Sequence, residues 1–145
     1  MKPLAALQAT LAGEHAAVWV YGVLGAQASR SREPGLFTAL SDAWALHRKR
    51  RDQLTQMISQ RDATPVASQV SYELPNPART SRQLRAAALQ LEQRLADVYG
   101  QLVESTTHVE RRWAIGALDE CAVRQLGFGG VPSDLPGMPV TPTGR

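Results

Sequence analysis

The sequence predicts an all-α protein, a four-helix bundle with one long connection, and three observations carry that prediction. Apolar residues recur at helical spacing through four long segments. Strand patterning is confined to a few residues near Val70 to Leu74, and the connections run short, long, short. At 145 residues the chain is long enough for one domain with a core and short of the length for two. Its 43% apolar and 20% charged residues are those of a globular chain, which excludes disorder throughout.

The first helix should open with Pro3 among its early residues and run to about Ser29, where "SRSREPG" breaks it. Pro34 opens the second, which continues to about Asp62, before "ATP". The third begins at a capping-box match, Thr80 with Gln83, and runs through "LRAAALQLEQRLADVYGQLVES". The fourth has a similar match, Thr107 with Glu110, and runs to Leu126. After Gly127 the stretch "FGGVPSDLPGMPVTPTGR" is too rich in proline and glycine for a helix. The expected layout is a bundle over residues 1–127 and an extended tail over 128–145, packed on the bundle or on a neighbouring chain.

The joins between helices one and two and between three and four are a few residues long, which makes each pair an antiparallel hairpin. The middle join, Ala63 to Arg79, can stretch ~55 Å, whereas the first two helices span only ~40 Å each. It can therefore travel the whole bundle and start the third helix at the other end. That connectivity is the one a ferritin-like bundle uses; an up-down bundle with a slack loop is the alternative.

At about 100° per residue, Leu7, Leu11, Glu14, Val18, Tyr21 and Gly25 share one narrow arc of the first helix, so Glu14 sits in the core stripe. His15 falls on the margin of that stripe or on another face. The run from Ala16 to Ala26 is apolar nearly all round, as suits a helix covered by its own bundle and by a second subunit; a homodimer is expected. In the second helix Leu36, Leu40, Ala43, His47, Leu54 and Ile58 line up, with Arg50 and Arg51 beside them. Glu14 and His47 differ by only ~4.5 Å of helical rise measured from the hairpin, which places them in one layer. In the third helix Glu92 and Tyr99 lie to one side of the stripe, at its boundary. The fourth shows one face, Ala114, Leu118, Cys121 and Ala122, with no inward histidine.

Inward carboxylates and a histidine at mid-bundle are the ingredients of a di-metal site, built from one Glu on each of two helices and Glu-x-x-His on the other two. Glu14, His47 and Glu92 are the candidate ligands, with iron or manganese as the metal. The rest of the set is missing. Trp44 stands three residues before His47, and Glu120 and Asp119 are followed at that spacing by Val123 and Ala122. Over nearly its whole length, in "AGEHAAVWVYGVLGA", "HRKRRDQL", "YELPNPAR", "LEQRLADVYGQLV" and "FGGVPSDLPGMP", the chain resembles a family of small actinobacterial ferritin-like proteins of unknown function. The resemblance implies the bundle and brings no activity, cofactor or substrate with it.

Two readings of the polar core follow. In the plainer one Glu14 is balanced by His47 or by Arg51, Tyr21 and Tyr99 are core aromatics with satisfied hydroxyls, no cofactor is bound, and the protein acts by association. In the other, Glu14, His47 and Glu92 hold a metal for oxidoreductase or iron-handling chemistry. Trp19, Trp44 and Trp113 are read as packing or interface residues, and any small-molecule ligand is unknown. The net charge of +3 is too small to imply nucleic acid, since "HRKRR" winds round its helix as a collar. The single cysteine, Cys121, reads as a buried thiol in a reducing, cytoplasmic setting. No signal peptide or membrane-length apolar run is evident, so no membrane partner is expected.

Overall fold

The computed structural model describes residues 1–138, so residues 139–145 of the expected tail lie outside the described part. Its helices are α1 (Pro3–Gln27), α2 (Pro34–Ser59), α3 (Ser81–Ser105) and α4 (His108–Gly127). No strand forms among the described residues, and Val70, in the stretch with strand patterning, is 99% exposed. One short alternating run has no second strand to share its backbone hydrogen bonds.

Local chemistry sets the helix ends. Pro3 and Pro34 occupy first turns, where the missing N–H goes unused. α2 stops at Ser59, short of the expected Asp62, because Asp62 itself adopts φ +55°, a left-handed conformation that cannot continue a helix. At α3, Thr80 Oγ1 accepts from the Gln83 N–H at 3.2 Å, but Gln83 Oε1 accepts from the Arg79 N–H at 2.9 Å, one residue before the cap. At α4 the expected box does not close. Thr107 makes no side-chain cap, and Glu110 instead accepts twice from Arg61, at 2.6 and 2.7 Å. A charged guanidinium outcompetes a neutral backbone N–H for a carboxylate, and the pair ties the start of α4 to the end of α2.

α1 packs on α2 and on α3, and α3 packs on α4. The segment between α2 and α3 lies along α1. Gln8 exchanges hydrogen bonds with Thr64 and Val66, both 2.8 Å, then His15 Nε2 meets the Val66 carbonyl at 3.0 Å, and the Trp19 and Tyr72 rings stand 6.1 Å apart. The segment ends where Ser81 donates to Glu33, the residue before α2, and Arg85 pairs with the same carboxylate. α3 therefore sets out from the end at which α2 begins. The apolar outer side of α1 is partly covered by this segment of its own chain, which leaves His15 and Trp19 half-buried.

Beyond α4, Phe128 is buried with its ring 6.3 Å from that of Tyr21. Farther on the chain crosses α3 at Gly100, where a Cβ would stand 2.7 Å from the Gly137 carbonyl oxygen; only glycine allows that approach. Among the described residues, no helix is long and apolar enough to cross a membrane.

Candidate functional site: a buried carboxylate–imidazolium–guanidinium centre

Glu14 of α1, His47 of α2 and Glu92 of α3 meet at mid-bundle, each with no solvent exposure. Glu92 is thus a core residue and not the boundary residue its azimuth implied, because α3 is packed on two neighbours, α1 and α4, and buries more than one stripe. His47 lies between the carboxylates: Nδ1 is 2.7 Å from Glu14 Oε2 and Nε2 is 3.0 Å from Glu92 Oε1. Its ring stacks on Tyr21 with centroids 5.2 Å apart and planes at 11°. A carboxylate at each nitrogen makes both ring N–H groups donors, so the imidazole is charged. Burial, the strongest single influence, pulls its pKa down, but the charge and hydrogen bond of Glu14, then those of Glu92, raise it above the ordinary 6.5.

Two tyrosines also bond the carboxylates. Tyr99 of α3 donates to Glu14 Oε1 at 2.6 Å, and Tyr21 of α1 donates to Glu92 Oε1 at 2.6 Å. Burial first, and the adjacent glutamate second, push both phenols well above their ordinary value, which keeps them neutral donors. Glu92 Oε1 also accepts from Arg124 Nε at 2.8 Å, making three donors on one oxygen, while Oε2 is buried with no partner among the described residues. Burial alone would raise the Glu92 pKa. His47 and Arg124 reverse that and bring it to about 2.

Arg51, the arginine expected beside Glu14, does not reach it. Its guanidinium turns outward to Asp52, at 2.9 Å from Nε, so the predicted compensation by Arg51 is corrected. The neighbouring Arg50 is the buried one, at 3% exposure. It donates to Glu120 and to Cys121 Sγ, and stands 5.3 Å above the Tyr99 ring. Arg124 also donates to Cys121 Sγ, at 3.5 Å. That thiol is neutral, pushed up to about 12 by burial first and by the Glu92 charge next.

The two hairpins contribute in parallel. Glu14-x6-Tyr21 on α1 recurs as Glu92-x6-Tyr99 on α3, and each tyrosine bonds the other hairpin's glutamate. His47-x-x-Arg50 on α2 recurs in position as Cys121-x-x-Arg124 on α4. The site has an approximate internal two-fold, and its breaking is informative. Glu120 on α4 captures Arg50, whereas the corresponding α2 position holds Leu46, which leaves Arg124 free to reach Glu92. The azimuths of single helices set Arg50 beside the stripe with Arg51 but did not say which of the two is buried, and they did not single out Arg124. The repeated Glu-x6-Tyr spacing was a signal that pointed to a paired site and hence to matched residues on α2 and α4.

Among the described residues no three His, Cys, Asp or Glu side chains are arranged to hold a metal ion. Glu14, His47 and Glu92 converge as a hydrogen-bonded chain.

A family described as "Domain of unknown function (DUF4439)" matches residues 6–140. The fold is similar to the crystal structure of a conserved hypothetical protein from Mycobacterium tuberculosis, with 31% identity and a TM-score of 0.80. That match covers 87% of this chain and 93% of the mycobacterial one. No curated protein matches the sequence.

Proposed function

The chain belongs to the DUF4439 family, and from that premise we propose a ferritin-like, actinobacterial-type scaffold of the cytoplasm that works by association, as a homodimer or with a partner protein, and not by catalysis. The bundle's long second connection, running beside α1 and returning α3 to the end where α2 starts, supports the ferritin-like topology. The observation that carries the non-catalytic reading is the balance of charge on Glu92, held by both His47 and Arg124. In a di-metal bundle the ions neutralise inward carboxylates. Here two cations, His47 and Arg124, do so by direct contact. As protonated, His47 has no lone pair for a ligand bond, and both Glu14 oxygens already accept. This donor set does not fit a resident iron or manganese pair.

One observation favours the second reading, a metal-binding or iron-handling protein. Glu92 Oε2 is buried and unpartnered, and deprotonation of His47 would add a nitrogen ligand close to it. The separating experiment is direct. The protein is purified without chelators or a histidine tag, given Fe(II) or Mn(II) anaerobically, desalted and assayed for metal. The scaffold reading expects retention far below one ion per chain, together with a dimer or larger complex by light scattering. Retention of one or more ions, lost in Glu14→Ala, replaces it with the metal reading.

A further inference from the structure

The internal two-fold also relates two cavities on the seam between α2 and α4. One, of about 260 Å³, is lined by Lys49, Arg50 and Gln53 of α2 and by Arg112, Trp113 and Glu120 of α4. The other, of about 320 Å³, is walled by Ala39, Asp42, Ala43, Arg124 and Phe128, and Leu46 lines both. Each has one buried or half-buried arginine, Arg50 in the first and Arg124 in the second. Their rims differ. Where the first carries Lys49 and Arg112, the matched positions at the second are Val123 and Thr38. Of the two matched cavities, only the first is lined by cations beyond its arginine.

We propose that the Arg50 cavity is a binding site for a small, multiply charged oxyanion, a phosphate or a dicarboxylate. Three cations line it against the single carboxylate of Glu120, an excess of positive charge that two or more anionic oxygens neutralise. The Arg50 fork is fixed beforehand by the Tyr99 ring and Cys121, so little side-chain freedom is lost when an anion takes the place of Glu120. Gln53 is held in the wall by the Trp113 indole N–H at 3.3 Å and adds an amide N–H donor. An incoming anion meets Arg50 on the face that Glu120 now occupies, and Lys49 and Arg112 close over it from the exposed rim. The proposal stands independently of the scaffold reading.

The test follows Trp113 fluorescence and titration heat while inorganic phosphate, or succinate in a parallel arm, is added at constant ionic strength against sodium chloride. Saturable binding of phosphate or succinate is expected, the tighter arm naming the class. Lys49→Ala with Arg112→Ala should weaken it about tenfold or more. Removing two cations elsewhere, Arg30→Ala with Arg82→Ala, should leave it unchanged, and thermal melts of both variants show that the bundle is intact. The proposal fails if neither anion exceeds the chloride response. It fails equally if the rim variant binds as the parent does, or if the distant pair weakens binding as much as the rim pair.

Discussion

Arg124 and Arg50 hold matched positions on α4 and α2, yet only Arg124 reaches a buried glutamate, with Nε 2.8 Å from Glu92 Oε1. Arg50 is held at the rim by Glu120, whose side chain is 57% exposed. Glu120→Ala should therefore let Arg50 turn inward to Glu14, reproducing the Arg124–Glu92 bond on the other half. Because the lost pair is solvent-screened, stability should change by less than about 1 kcal/mol. A crystal structure of the variant decides it; an Arg50 still directed to the rim refutes the explanation.

Glu92→Gln leaves His47 and Arg124 facing a neutral amide in the core. Breaking one partner of a buried ion pair costs about 3–5 kcal/mol, and the variant should lose at least about 2, since His47 can shed its proton. Urea unfolding measures it, and a loss below about 0.5 kcal/mol would show that these charges contribute little.

The tyrosines should not be equivalent. Each hydroxyl donates to a charged acceptor, a bond worth about 1.5–3 kcal/mol. Among the described residues, Tyr99→Phe leaves Glu14 with His47 as its one remaining side-chain donor, while Tyr21→Phe leaves Glu92 Oε1 with two donors. The first substitution should therefore be the more destabilising. Equal losses in parallel denaturation curves would contradict this.

Stability should peak in mildly acidic solution as far as these groups control it. His47 has a folded pKa raised above 6.5, so its contribution is complete below that value and is lost as pH rises through the folded pKa. Glu92 has one lowered from 4.5 to about 2, so its contribution is complete above 4.5 and is lost as pH falls toward about 2. Both are in force between 4.5 and 6.5. Unfolding measured at about pH 3, 5.5 and 9 tests the shape, and His47→Asn should flatten the alkaline limb. A His47 imidazole titrating below 6.5 by NMR would reverse the sign.

Cys121 should resist thiol reagents in the folded protein, since burial and the Glu92 charge hold its pKa at about 12 and the thiolate is the reactive form. Stoichiometric labelling is expected in denaturant only, and fast labelling of native protein would argue against a closed centre.

The four helices, their order and much of the inward set were legible before any packing was known, because the spacing of apolar residues fixes which face of a helix must leave water. Glu14, Tyr21 and His47 were legible for that reason, as residues on stripes that had to be buried. The partners came from how the helices pack. Which arginine enters the core depends on a carboxylate that another helix presents: Asp52 draws Arg51 outward, Glu120 takes Arg50, and Leu46 leaves Arg124 to Glu92. Long flexible cations span several ångströms, so their azimuth on one helix does not say where the charge ends up. How the buried carboxylates are balanced is therefore a property of four helices together, and it is the bundle that sets His47 between Glu14 and Glu92 with Arg124 on the latter.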